Sequence, residues 1–370
     1  MKPAKLALED GSVFEGLSFG ASGERSGEVV FNTAMSGYQE ILTDPSYKGQ
    51  IVVMTYTQIG NYGINPEDNE SSKPWLEGFA AREFSKIASN WRSSKTLEEY
   101  FNENNIMAIE SIDTRALTRK IRITGSMNGV LSTEDLDDKS LTAKAKKIPS
   151  MSGLDLVKYV TRSKSGKWNE IYNKLNGKHD LKYKVALIDC GVKYNIVRLL
   201  VESSCDVSLL PATTTAKEIL DGHYDGLCIS NGPGDPTAVT YTIQTVKEVI
   251  KSKMPVIGIC LGHQIIGAAM GANVYKLKFG HHGANHPVKN IKNGKIEITS
   301  QNHGFSVDDK SALQQGFEVT HINLNDGSVE GMRHKEYPVF CVQYHPESAP
   351  GPHDSRYLFE EFCGMFAEKK

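Results

Sequence analysis

The sequence predicts an α/β protein, with a doubly wound C-terminal domain preceded by a mixed α and β N-terminal domain. Three observations carry this. From Lys184 onward a β-branched run, a glycine-containing turn and a helical stretch alternate repeatedly, the rhythm of parallel strands joined by helical crossovers. The first half holds strand-like and helical runs in irregular order. Between about Thr161 and Lys184 the chain turns polar and lysine-rich, with turn signals at Ser163-Lys164-Ser165-Gly166 and Asn176-Gly177. Such a stretch marks a boundary, here holding one short helix. The division is set near 180, giving domains 1–180 and 181–370.

In chain order, Lys5 to Leu8 and Val13 to Phe19 flank the turn Glu9-Asp10-Gly11-Ser12 and form a hairpin. Further strands are expected at Glu28 to Thr33, Ile51 to Thr57 and Ile106 to Ile109, and helices at Leu97 to Asn104 and Thr114 to Ile123. In the second half the strand Lys184 to Asp189 leads to a helix around Asn195 to Glu202. Then come Val207 to Leu210, a helix near Lys217, the strand Gly226 to Ser230 and a helix around Thr242 to Ile250. The strand Pro255 to Ile259 runs through Cys260 into a helix from Leu261 to Met270. Strands near Ile296 to Ser300, Glu318 to Ile322, Ser328 to Met332 and Val339 to Tyr344 complete the chain with hairpin-like β structure.

Composition narrows the function. With 42 Lys plus Arg against 44 Asp plus Glu, the net charge is −2, so no general attraction to nucleic acid or an anionic membrane is expected. The longest charge-free apolar run, Met254 to Gly262, is far short of the roughly 18 residues that span a bilayer. No apolar run follows Glu9 and Asp10 to make a secretory signal, so a cytoplasmic location is expected. The six cysteines, at 190, 205, 228, 260, 341 and 363, include no CxxC pair. In a reducing compartment they are expected as buried thiols, with one available as a nucleophile.

Gly258-Ile259-Cys260-Leu261-Gly262-His263-Gln264 stands where a buried strand turns directly into a helix. Small residues on either side of a nucleophile let such a turn bend sharply and present the central side chain at the sheet edge. Here that residue is Cys260. A free thiol is mostly protonated at neutral pH, and a helix terminus supplies only about 0.3–1 kcal/mol, so a base is needed. His345-Pro346-Glu347, at the end of the last strand, offers one, since residues two apart in an extended segment face the same side. Glu347 would orient His345, making a Cys, His, Glu triad. His263 and His303 are the competing bases. The loop Ser230-Asn231-Gly232-Pro233-Gly234-Asp235-Pro236 follows another strand, so one of its amides and the Leu261 N–H could serve as oxyanion donors. Taken singly each feature reads as ordinary structure. Their shared place at strand ends of one α/β pattern makes them a site.

These three motifs resemble those of the class I, triad-type glutamine amidotransferases. Phe279 to Pro287 (FGHHGANHP), Gln301 to Phe305 (QNHGF) and Tyr344 to Asp354 (YHPESAPGPHD) resemble, more narrowly, the small glutamine-hydrolysing subunits of carbamoyl-phosphate synthases. In the first half Ser36 to Tyr47 (SGYQEILTDPSY) and Gly60 to Asn65 (GNYGIN) agree, so the resemblance covers nearly the whole chain. It implies a class I amidotransferase fold for 181–370, and an N-terminal domain that contacts a large synthase subunit and forms part of the glutamine cleft. It implies Cys260 as nucleophile through a γ-glutamyl thioester, His345 as acid and base, and Glu347 as its orienter. It implies a glutamine pocket of Ser46, Gly232, Gly234, Leu261, Gln264, Asn302, Gly304 and Phe305. Ammonia would pass to the large subunit, which uses bicarbonate and ATP with Mg, for pyrimidine and arginine biosynthesis. No cofactor is expected in this chain, and an oligomer of heterodimers is left open.

The alternatives are an amidotransferase subunit feeding another synthase, a non-catalytic subunit retaining the fold, and a cysteine hydrolase of peptides. The N-terminal half disfavours the first, and the intact Cys260 and His345 disfavour the second. Gln264 and the domain-spanning pocket disfavour the third. His281, His282 and His286, read as part of a loop, have spacings poorly suited to a tetrahedral metal site, so no metal is expected. Arg115, Arg119, Lys120 and Arg122 form a basic run that reads as a solvated helix face or as a face for the large subunit.

Overall fold

The computed structural model describes residues 2–168 and 180–367. Two compact units form: Met1–Ser152 with Lys278–Gly283, and Gly153–Leu277 with Ala284–Lys370. The break falls at Ser152 rather than near 180, and the physical reason lies in the segment that follows. Val157 is buried in the core of the second unit with Ala186 and Ile188, the Asp235 amide donates to the Leu154 carbonyl, and Gly166–Lys167 pairs antiparallel with Ser208 and Leu209. The polar stretch is therefore a strap of the second unit. The expectation of one short helix between about Thr161 and Lys184 falls in part on residues outside those described.

The first unit is built on a closed barrel of seven strands, ordered Pro3–Leu8, Val13–Gly20, Met107–Glu110, Gly78–Ala80, Gln50–Met54, Glu24–Asn32 and Met127–Ser132. Pairing of Lys5 with Ser132 closes it. Closure removes exposed edges, and Leu6, Leu8, Val29, Phe31, Ile51, Val53 and Ile109 form its core. The helix Thr114–Thr124 lays Leu117 and Ile121 into that core.

The second unit carries a ten-stranded sheet. Five strands are parallel, in the order Cys205–Pro211, Tyr183–Asp189, Gly226–Ile229, Val256–Ile259 and Val339–Val342. Alternate residues along a strand serve opposite faces. Ala186 and Ile188 join helices Thr240–Lys251 and Leu261–Met270 on one face. Val185 and Leu187 join helices Tyr194–Glu202 and Tyr357–Ala367 on the other. This is the expected doubly wound core. After Tyr183–Asp189 the chain goes first to one flank and then to the other, so a switch point opens between Tyr183–Asp189 and Gly226–Ile229, where open α/β sheets bind ligands.

Two further expectations need correction, and one element was not foreseen. The segment carrying His281, His282 and His286 is not a loop but part of one 17-residue strand, Val274–Asn290, and its stretch Lys278–Gly283 belongs to the first unit. Glycines at positive φ, Gly280 and Gly283, disguise it as a turn. The last parallel strand ends at Val342 rather than Tyr344. The C-terminal helix, which the sequence reading did not anticipate, covers one sheet face with Leu358, Phe359 and Phe362. Among the described residues no helix is long and apolar enough to cross a membrane.

Candidate active site

Strand Val256–Ile259 ends at Cys260, whose backbone is at φ 53 and ψ −103, and helix Leu261–Met270 begins at the next residue. A positive φ outside the left-handed helical basin is costly for a side-chain-bearing residue. The neighbours explain how it is held. The Cys260 amide donates to Val342 O at 2.9 Å, and the Gln264 amide donates to Cys260 O at 3.2 Å. Glycine is required on both sides: a Cβ on Gly262 would stand 2.2 Å from Ile229 O, and one on Gly258 2.5 Å from the Gly262 carbonyl carbon. The thiol is 2% exposed and donates to Asn302 O at 3.5 Å.

His345 follows the neighbouring strand. It makes an isolated antiparallel bridge to Ser300, its amide donating to Ser300 O at 2.9 Å, and the Ser348 amide closes a turn back onto its carbonyl. That turn, rather than an extended strand, brings Glu347 round, and His345 Nδ1 meets Glu347 Oε1 at 2.6 Å. His345 Nε2 is buried on the side of the Cys260 side chain. Burial opposes charging of this imidazole, but Glu347 and then the Cys260 side chain outweigh it against a smaller opposition from Lys193, and the group is pushed up to about 10. Glu347 is held well below the usual carboxylate range: burial works against its charge, and Lys193 and His345 overcome it. The arrangement therefore favours the charged form of His345, the form it takes on accepting a proton, held by the Glu347 carboxylate.

The rival histidines are ill suited to this role. His263 sits fully buried on the helix, and burial pushes it down to about 3 against a weaker pull from the Cys341 backbone. His303 has both nitrogens engaged, Nδ1 with Phe305 O at 2.7 Å and Nε2 with Gln301 Oε1 at 2.9 Å.

Gly232 packs beside the nucleophile turn, for a Cβ there would stand 2.2 Å from Cys190 O and 2.8 Å from Leu261 Cδ2. Gly234, at φ +89, leaves the same close space to Leu154 O. Gln264 spends its amide hydrogens inside the protein, Nε2 donating to Phe305 O at 2.9 Å and to Gln343 Oε1 at 3.0 Å, so only its Oε1 is left for a ligand. Gly304 has nothing within 4 Å of where a Cβ would stand. The second unit thus brings Cys260, His345, Glu347, Gly232, Leu261, Gln264, Asn302 and Phe305 into one neighbourhood. Ser46 belongs to the first unit, in the short turn Pro45–Tyr47, with its amide donating to Asp44 Oδ1 at 2.9 Å.

Lys193 is the residue the sequence reading missed. Its side chain is 3% exposed, and Nζ donates to Glu347 Oε1 and to Ser348 O, each at 2.8 Å. Its backbone N–H reaches Asn231 Oδ1 at 3.1 Å, linking the triad's carboxylate to the Gly232 loop. The available signal was position: Lys193 closely follows the first parallel strand, beside the switch point.

Two family matches cover most of the chain. Residues 6–131 match the family described as carbamoyl-phosphate synthase small chain, CPSase domain, and residues 186–365 match glutamine amidotransferase class-I. Among curated proteins, the carbamoyl phosphate synthase small chain of Syntrophotalea carbinolica is 52% identical, covering 99% of this chain and 98% of its own. That of Chlorobaculum tepidum is 54% identical over 100% and 99%, and that of Aquifex aeolicus 54% over 98% and 99%.

Proposed function

Since the chain belongs to the carbamoyl phosphate synthase small-chain family, we propose that it hydrolyses L-glutamine at Cys260 and hands the ammonia to a large synthase subunit. It is the glutamine-hydrolysing component of the complex, and the observation that carries the site assignment is the alignment of the Cys260 thiol, the raised His345 imidazole and the Glu347 carboxylate. His345 takes up the Cys260 proton, and the resulting thiolate attacks the side-chain amide carbon of glutamine. The developing oxyanion is met by the N–H groups of Gly232 and Leu261, a donation worth about 2.7–4 kcal/mol per donor. His345 passes its proton to the departing nitrogen, leaving ammonia and a γ-glutamyl thioester. Water then attacks the thioester while His345 takes its proton, and glutamate departs as the thiolate is restored. Glu347 orients the imidazole and balances its charge.

Glutamine is zwitterionic at its α-carbon, so its grip needs polar groups. Ser46, Gln264 through Oε1, Asn302 and the backbone of Gly234, Gly304 and Phe305 fill that need in this reading. The first unit contributes Ser46 and contacts the large subunit, where ATP, Mg and bicarbonate are used. Product carbamoyl phosphate serves pyrimidine and arginine biosynthesis, and we place the reaction in the cytoplasm.

The test is intact-mass analysis and peptide mapping after exposure to a glutamine-mimicking electrophile, with and without excess glutamine, on the chain alone and with its large subunit. Glutamine-protected labelling at Cys260 is expected. Absence of protected labelling in both states would overturn the assignment.

A further inference from the structure

The barrel unit carries a charged surface that the amidotransferase chemistry does not use. Helix Thr114–Thr124 buries Leu117 and Ile121, and at 3.6 residues per turn Arg115, Arg119 and Arg122 fall within one narrow stripe on its opposite side. All three are exposed. They line, with Thr55, Thr114 and Thr118, a groove of about 570 Å³. Ile123, flanking the stripe, is 59% exposed, and Tyr56, next to Thr55, is 40% exposed.

These arginines form a cluster without counter-charge. Elsewhere in the same unit Lys5 pairs with Glu15 and Asp138, Lys48 with Glu77, Arg92 with Glu67 and Asp68, and Lys144 with Glu24 and Asp135. Even Lys120, on the same helix, reaches Asp10 at 2.7 Å. Among the described residues, no ion pair is made by Arg115, Arg119 or Arg122. Three adjacent guanidiniums left open beside exposed Ile and Tyr make the mixture that protein interfaces favour, planar donors for carboxylates next to apolar contact.

The family matches indicate the partner. The amidotransferase family match covers 186–365, whereas the small-chain match covers 6–131 and includes this helix. What distinguishes these chains from other amidotransferases therefore lies in the unit that bears the stripe. The geometry points to the face Arg115, Arg119, Arg122 and Ile123 as a docking surface for the large subunit, which presents a row of carboxylates spanning about 10 Å, the rise of the helix from Arg115 to Arg122. This inference rests on the partnership proposed above.

The experiment uses the full chain and the large chain encoded in the same genome. Arg115→Glu/Arg119→Glu/Arg122→Glu and the matching triple Ala variant are compared with wild type by sedimentation at several salt concentrations, with glutamine- and ammonia-dependent synthesis assayed in parallel. The side chains are exposed, so circular dichroism and glutaminase activity of the isolated chain are expected to match wild type. Association is expected to weaken by about a hundredfold or more in the Glu variant, in line with losing hydrogen-bonded charge pairs at an interface, and its salt dependence to flatten. Glutamine-dependent synthesis then falls while ammonia-dependent synthesis by the large chain persists. Wild-type association by the Glu variant overturns the surface assignment and leaves the partnership standing. Failure of the wild-type chain itself to associate overturns the partnership. Tight binding of inorganic pyrophosphate to the isolated chain, lost in the Ala variant while association is unchanged, makes the groove a small-anion site and overturns the docking assignment.

Discussion

Lys193 and His345 grip the same oxygen of one carboxylate: Glu347 Oε1 accepts from Lys193 Nζ at 2.8 Å and meets His345 Nδ1 at 2.6 Å, while Oε2 is buried without a partner. The carboxylate is thus neutralised from two sides. Because Lys193 opposes charging of His345 and favours charging of Glu347, it divides the charge of the group rather than simply adding to it.

Lys193→Met removes two charge-assisted hydrogen bonds but leaves the imidazolium and carboxylate paired. A loss of about 2–3 kcal/mol in unfolding free energy is expected, measured by urea titration, at the scale of hydrogen bonds to charged groups. Thioester formation, followed by rapid quench, is expected to survive at a much higher rate than in Cys260→Ser. Loss equal to that of Cys260→Ser would make Lys193 essential to the chemistry itself.

His345→Asn is expected to slow thioester formation or breakdown by at least about 100-fold, the usual contribution of a positioned acid and base. His263→Asn tests the alternative. Burial keeps the His263 imidazole uncharged near neutral pH, so the variant's activity per folded molecule is expected near wild type. The reverse ranking of the two variants would move the base to the helix.

These two histidines show what local sequence can and cannot settle. The nucleophile turn was legible because its whole logic is local: Gly258, Cys260 and Gly262 are near neighbours in a strand-to-helix junction, and helix Leu261–Met270 stands where expected. Lys193 was not, because its partner is 154 positions away and a lysine after a strand ordinarily faces water. The barrel was equally hidden. Its closure depends on Lys5 meeting Ser132, a pairing that no periodicity encodes. The boundary near 180 failed for the related reason that a polar segment can be held by remote partners such as Asp235.

The raised His345 has a consequence for stability with a definite sign. Its proton is bound more tightly in the folded state than at the ordinary value of 6.5, so its contribution is fully present below about pH 6.5 and is lost as pH rises through about 10. The stability difference between wild type and His345→Asn is expected to narrow steadily between about pH 6.5 and pH 10, by denaturant titration at each pH. Glu347 works in the opposite sense. Its depressed carboxyl contributes above the ordinary value of 4.5, and that contribution is lost as pH falls through about 2. A wild-type advantage over His345→Asn that grew with pH above neutrality would mean that His345 is neutral in the fold.

The Cys260 backbone offers a test independent of its thiol. Replacing Ala by Gly in ordinary secondary structure destabilises by about 0.5–1 kcal/mol, because glycine loses more freedom on folding. At φ 53 and ψ −103 the balance is altered, since a conformation of this kind costs a side-chain-bearing residue about 1–3 kcal/mol and costs glycine little. Cys260→Gly is therefore expected to be at least as stable as Cys260→Ala, with both devoid of glutaminase activity. Neither variant keeps the thiol's contact with Asn302 O, so the comparison isolates the backbone. If Ala proves the more stable by the ordinary margin, the turn relaxes once the thiol is gone, and its bend is imposed by the side chain. If Gly is the more stable, the bend belongs to the scaffold: the close approach of Gly262 to Ile229 and the hydrogen bond from Cys260 to Val342 hold the nucleophile in place before any substrate arrives.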